Sequence, residues 1–209
     1  MIALVASALL SAAAPESGAA LATNATPAEL VASCRAMIPA AVEIEGRIIL
    51  RNRRGIPQAE HDYVLTRTNG VTRLAVDGVP LDAPASLPAD SGLQTTDSIC
   101  GTDVTWSDLT LDYLWWDDFS YDAERTMESV HGQECLVVLM KRGGRAVRVW
   151  VDRKTGAMMQ AEELKDGIPV RRLWGTRIRK FGDRWAPNVL EVETLGSGHR
   201  TKITVEKLK

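Results

Sequence analysis

Three histidines, His61, His131 and His199, are the only side chains of this 209-residue chain that ordinarily titrate near neutral pH. A hydrolase of the serine or cysteine type needs a nucleophile beside such a base, and the base itself must be oriented. Ser197 lies near His199, but Gly196-Ser197-Gly198 reads as a turn and His199 as a surface residue at a strand start. His131-Gly132 reads as a hairpin turn, and no Gly-x-Ser-x-Gly elbow occurs. Asp117, Asp118 and Asp122 could hold calcium loosely, yet the EF-hand spacing is missing. Glu43 with Glu45, and Glu191 with Glu193, sit on alternate positions opposite apolar neighbours, which is the pattern of a solvated strand face. His-x-x-x-His, Cys-x-x-Cys and the glycine-rich nucleotide loops are all absent. The residue types therefore predict no catalytic centre, no metal site and no cofactor. The chain reads as a protein that is not an enzyme.

Composition narrows the remaining classes. The 25 basic and 27 acidic residues leave a net charge of −2, without the basic excess of a nucleic-acid binder. A hydrophobic content of 45% is that of a globular protein with its own core. Three cysteines are too few for a disulfide scaffold, although any two of Cys34, Cys100 and Cys135 could pair in an oxidising compartment. Charge is segregated along the chain. Residues 74–124 hold eleven acids and no Lys or Arg, whereas residues 125–209 carry a net charge of +8. Either an acidic layer lies against a basic sheet in one molecule, or the sheet presents a basic face to a partner or an anionic membrane. The residues for such a face are Arg171, Arg172, Arg177, Arg179 and Lys180, with Arg184 beside them.

The apolar run Ile2–Ala14 is too short to span a bilayer and reads as the core of a signal peptide. Ala20-Leu21-Ala22 fits cleavage before Thr23, which gives a signal peptide over residues 1–22 and a single domain over 23–209. The positive flank is atypical, because no Lys or Arg precedes Arg35. The competing readings are a buried N-terminal helix and a lipid-modified Cys34. The polar stretch Thr23–Glu29 speaks against the second.

The elements follow from periodicity. Thr26-Pro27-Ala28-Glu29 carries the marks of a helix start, and Pro39 ends that helix. From Ala41 apolar residues alternate with charged ones, giving a strand in which Gly46 marks a bulge or bend. His61–Thr68 and Val71–Val76 form a hairpin about Asn69-Gly70. Asp77–Ser98 reads as a long loop, and Thr105–Trp116 as a short helix. Seven further strands follow between Arg125 and Lys207, each separated by turn residues. About ten strands joined by short connections make an antiparallel meander, and a sheet that large tends to curl or close. Its apolar face would either pack on itself or hold an apolar ligand. The cavity candidates are Ile44, Ile48, Leu50 and Leu65, then Leu111 and Leu114 of the helix. Val137, Leu139, Val147, Val149, Leu190, Val192, Ile203 and Val205 continue the set on the later strands.

Several ordered motifs go beyond pattern. They are Gly101-Thr102-Asp103, Thr105-Trp106-Ser107-Asp108-Leu109-Thr110-Leu111 and Leu114-Trp115-Trp116. Further on come Arg148-Val149-Trp150-Val151-Asp152, Thr155-Gly156, Gln160-Ala161-Glu162, Arg172-Leu173-Trp174, Asp183-Arg184-Trp185 and His199-Arg200-Thr201-Lys202. In these the chain resembles the outer-membrane lipoprotein-sorting proteins, the LolA-like family, from about Ala28 to Lys207. The resemblance implies a mainly β fold with short helices. In it a curved antiparallel sheet forms a half-open barrel covered by helices. It further implies a periplasmic protein whose cavity receives lipid or lipoprotein acyl chains and sorts or carries them toward the outer membrane. Envelope protein partners and transient membrane contact go with that role. The alternative is a non-catalytic envelope interaction or sensor module with a filled core. In the family an arginine latches the helical lid to the barrel, and Arg47 and Arg148 are the candidates here.

Overall fold

The computed structural model describes residues 10–11, 25–81, 97–182 and 184–209. The expected signal peptide, apart from Leu10–Ser11, and most of the expected long loop lie outside them.

Among the described residues thirteen strands form one antiparallel sheet: β1 (Leu10–Ser11), β2 (Ala41–Asn52), β3 (Pro57–Thr68), β4 (Val71–Val76), β5 (Val79–Leu81), β6 (Asp118–Tyr121), β7 (Met127–Val130), β8 (Gln133–Arg142), β9 (Arg145–Asp152), β10 (Met158–Lys165), β11 (Ile168–Phe181), β12 (Arg184–Thr194) and β13 (His199–Leu208). The order across the sheet is β5-β4-β3-β2-β13-β12-β11-β10-β9-β8-β6, with β1 beside β12 and β7 beside β8. The sheet is thus two meanders joined where β13 enters between β2 and β12. Turn chemistry sets most hairpins. At Asn69-Gly70 and Asp166-Gly167 both residues take positive φ, the geometry that matches the twist of paired strands.

Gly46 is needed for contact rather than for its backbone angle. A Cβ there would meet the Thr204 carbonyl oxygen of β13 at 1.9 Å and the Tyr63 ring at 3.2 Å. The β13 register shifts between Val205 and Lys207, beside Gly46. Gly46→Ala is expected to force the central strands apart and cost about 1–3 kcal/mol, measured by urea unfolding.

Helix α1 (Pro27–Ala36) begins with a capping box. Thr26 Oγ1 accepts from the Glu29 N–H, and the Glu29 carboxylate accepts from the Thr26 N–H at 2.7 Å. Its buried Leu30, Val31 and Cys34 face the sheet core. The expected helix Thr105–Trp116 is broken. Helix α2 (Trp106–Thr110) stops at Leu111, whose φ is +51°, and a 3-10 turn follows over Asp112–Trp115. Competing side-chain bonds explain the break. Thr110 Oγ1 donates to the Trp106 carbonyl at 2.8 Å, and Ser107 Oγ is bonded to the Asp112 carboxylate. The core lies between these helices and the concave face of the sheet. It runs from Ile44 and Leu65 through Ile203 and Leu190 to Val149 and Val138.

Candidate functional site

The concave face collects most of the expected cavity residues. Ile44, Ile48, Leu65, Val147, Val149, Leu190, Val192, Ile203 and Val205 belong to one buried cluster, with Leu111 and Leu114 above them. Three candidates lie elsewhere. Leu50 is half-buried at the end of β2, outside the cluster. Val137 lies on the opposite side of the sheet, in a second small cluster with Val130, Cys135 and Trp150. Leu139, two residues further along β8, shares that side and is half-buried. Residues 135–140 are apolar on both faces, so alternation could not assign them. Pairing does, because Val138 opposite Val149 turns inward.

A cover of two helices and their flanking turns closes this face. Polar groups around its edge hold it to the sheet. Arg171 of β11 reaches under α2, where its guanidinium donates to Asp108 Oδ2 at 2.5 Å and to the Asp103 carbonyl at 2.6 Å. It also meets Glu163 of β10 at 3.3 Å. Burial works against the Arg171 charge, but Asp108 and Glu163 outweigh it and raise its pKa. Arg145 of β9 pairs with Asp112 at 3.7 Å and with Glu163 at 3.5 Å, and lies over the Trp116 ring. Asp108, Arg145, Glu163 and Arg171 line a cavity of about 20 Å³, room for roughly one water. At the other end, Thr201 of β13 donates to Asp103 Oδ2 at 3.0 Å and accepts from its backbone N–H. Arg35 of α1 donates to the Leu114 carbonyl at 2.6 Å and ties the two helical segments together. Arg67 of β3 lies 5.5 Å over the ring of Trp115, which is 44% exposed. Burial lowers the pKa of Arg67, and its Nε has no hydrogen-bond partner.

Both latch candidates read from sequence point elsewhere. Arg47 sits on the outer surface between Glu206 and Glu60. Arg148 lies on the outer side of the sheet, in a buried ladder that runs Asp122–Arg148–Glu162–Arg172. Burial opposes the charge of Asp122, but the Arg148 hydrogen bond and the Glu124 and Arg125 N–H groups hold its pKa below the usual carboxylate range.

The expected basic face divides for the same reason. Arg171 points inward to the cover, while Arg172, its neighbour, points outward to Glu162. Arg177, Arg179 and Lys180 stay exposed at the far end of β11. The acidic segment and the basic sheet meet within the molecule at Asp108, Asp112, Arg145 and Arg171.

The cysteines are unpaired. Cys34 and Cys135 are buried and Cys100 is exposed. Burial pushes the Cys34 thiol up to about 12 and the Cys135 thiol to about 11, so both act as core residues rather than nucleophiles. The three histidines lie apart. His61 pairs with Asp77 at 2.8 Å, His131 is in a turn, and His199 opens β13. Among the described residues no three His, Cys, Asp or Glu side chains are grouped to hold a metal ion. No helix among them is long and apolar enough to cross a membrane.

Residues 90–209, more than half of the chain, match a family described as "Uncharacterized protein". The chain belongs to that family. Its fold is LolA-like. The LolA superfamily protein NE2245 from Nitrosomonas europaea superimposes with a TM-score of 0.67 at 14% identity, covering 88% of this chain and 93% of that one. A DUF1329 family protein from Desulfovibrio piger gives 0.59 at 17% identity, covering 86% and 89%. A Vibrio parahaemolyticus domain assigned to outer membrane lipoprotein sorting gives 0.59 at 12% identity, covering 81% and 85%. No curated protein matches the chain. At these identities the likeness is one of fold, and it agrees with the curved antiparallel sheet and helical cover expected from sequence.

Proposed function

We propose that this is a periplasmic lipid- or lipoprotein-binding protein that carries or sorts acylated cargo toward the outer membrane, without catalysis. One observation carries the reading. The centre of the concave face is apolar, and its cover is fastened by ion pairs and hydrogen bonds around it. Lifting the cover opens these buried pairs, but it hands Asp103 and Asp108 to water, which solvates them, rather than to hydrocarbon. Each acyl CH₂ that then replaces a lid contact contributes about 0.8 kcal/mol, so a chain needs no polar site to be held. The Vibrio domain, assigned to lipoprotein sorting, has the same fold.

Native mass spectrometry of protein purified from the cell envelope tests this. Co-purifying lipid or acylated peptide is the expected result. Val149→Ser, on the concave face, should reduce the load. Leu139→Ser, on the outer side, should leave it unchanged. An empty protein that also fails to take up a fluorescent fatty acid would overturn the proposal. The close packing of the interior would then favour an interaction or sensor module with a filled core.

A further inference from the structure

The end of β11 carries a surface that neither the interior nor its cover uses. Strand β10 pairs with β11 only as far as Gln160 opposite Trp174. Beyond that point, β11 has β12 on one side and no strand on the other among the described residues. Arg177, Ile178, Arg179 and Lys180 are all exposed there. Arg177 has a φ of +53°, but from Ile178 to Lys180 successive side chains point to opposite faces, so three exposed residues in a row leave both faces of this stretch uncovered. Ile178 is 56% exposed. Arg179 lies 5.4 Å over the ring of Phe181, which packs against the core and steadies that cation. None of the three cations has an ion-pair partner among the described residues. A chain of net charge −2 thus concentrates three positive charges in four residues.

Charges alone would suffice to keep a free sheet edge from pairing with another chain. An exposed isoleucine among them works against that purpose. Cations that meet phosphate, around an aliphatic side chain that meets hydrocarbon, are instead the chemistry of the headgroup boundary. We propose that Arg177-Ile178-Arg179-Lys180 docks this protein on an anionic phospholipid bilayer. This contact is separate from whatever the concave face holds.

Flotation of the purified protein with vesicles tests it. Protein should float with phosphatidylglycerol–phosphatidylcholine vesicles, stay behind with phosphatidylcholine alone, and be released by added salt. Each cation near an anionic surface strengthens partitioning several-fold, so the combined Arg177→Gln, Arg179→Gln, Lys180→Gln variant should partition about a hundredfold more weakly. Its melting temperature should not change. Ile178→Ser, which keeps every charge, should also weaken binding. Equal flotation of wild type and triple variant would overturn the proposal, as would binding indifferent to salt. Absence of wild-type binding to anionic vesicles would overturn it too, and would assign the cations to an acidic protein segment instead.

Discussion

Replacing Arg171 with alanine is expected to release the cover before it unfolds the sheet. The substitution strips Asp108, Glu163 and the Asp103 carbonyl of one shared donor. Asp108 is buried and also serves as the reciprocal partner in the α2 capping box, accepting from the Thr105 N–H at 2.8 Å. Breaking a buried pair by removing one partner costs about 3–5 kcal/mol, because the other charge stays behind without compensation. Here the cheapest escape for Asp108 is to swing out with α2 into water. Amide hydrogen exchange at Leu109 and Leu111 should therefore accelerate far more than exchange in β12 and β13. Binding of a fluorescent hydrophobic dye should rise as Leu111 and Leu114 leave the concave face. Uniform acceleration across the sheet would show that Arg171 supports the whole fold rather than its cover. Arg171→Lys keeps a charge but loses the fork that reaches Asp108 and Asp103 together, so it should give an intermediate effect.

The second large effect is expected on the outer side of the sheet. Arg148→Met removes the cation between Asp122 and Glu162, which are 3% and 1% exposed. Arg172 can still answer Glu162, at 2.7 Å, but Asp122 has only backbone N–H donors left. A loss of about 3–5 kcal/mol at neutral pH follows from the stranded carboxylate. The effect should depend on pH with a definite sign. In the native protein the Asp122 pKa is lowered, so its contribution to stability is present above the ordinary carboxylate range and fades as pH falls through the folded value. In the variant that carboxyl can protonate at little cost. The gap between native protein and variant should therefore narrow on acidification. Urea unfolding of both proteins at neutral pH and in the acid limb would measure it. A gap independent of pH would mean that Arg148 acts through packing, including its contact with the Trp150 ring 5.9 Å away.

What could be read from the sequence was what local rules control. Asn69-Gly70 and Asp166-Gly167 announce hairpins because both residues accept the positive φ angles of a turn that matches the strand twist. The capping box at Thr26 announced α1. The Arg171–Asp108 contact could not be read this way, because it joins residues 63 positions apart in the chain. A partial signal existed. Arg171 shares alternation with Leu173, which is buried, whereas Arg172 does not. Two adjacent strand residues cannot share one face, so the basic face has to divide. Alternation cannot assign Val137 and Leu139 to a side, since β8 is apolar on both faces and only its pairing with β9 decides. The break at Leu111 depended on Asp112 finding Ser107 and Arg145, a contact that no helical pattern contains.

The position of β13 bears on how the chain is assembled as it is synthesised. Strands β2 to β5 emerge early, yet β2 pairs on its free side with β13, whose Thr204 lies 157 residues after Arg47. Until that strand arrives, the early meander keeps an unpaired edge at β2 and an uncovered apolar face. Unpaired edges with exposed hydrophobic surface are the usual starting points of aggregation. The sheet therefore closes late, when β13 slides between two halves that have waited for it. Contacts of such long separation also make the closing step slow. A chaperone that shields β2 during that interval would act on the most vulnerable species this topology produces.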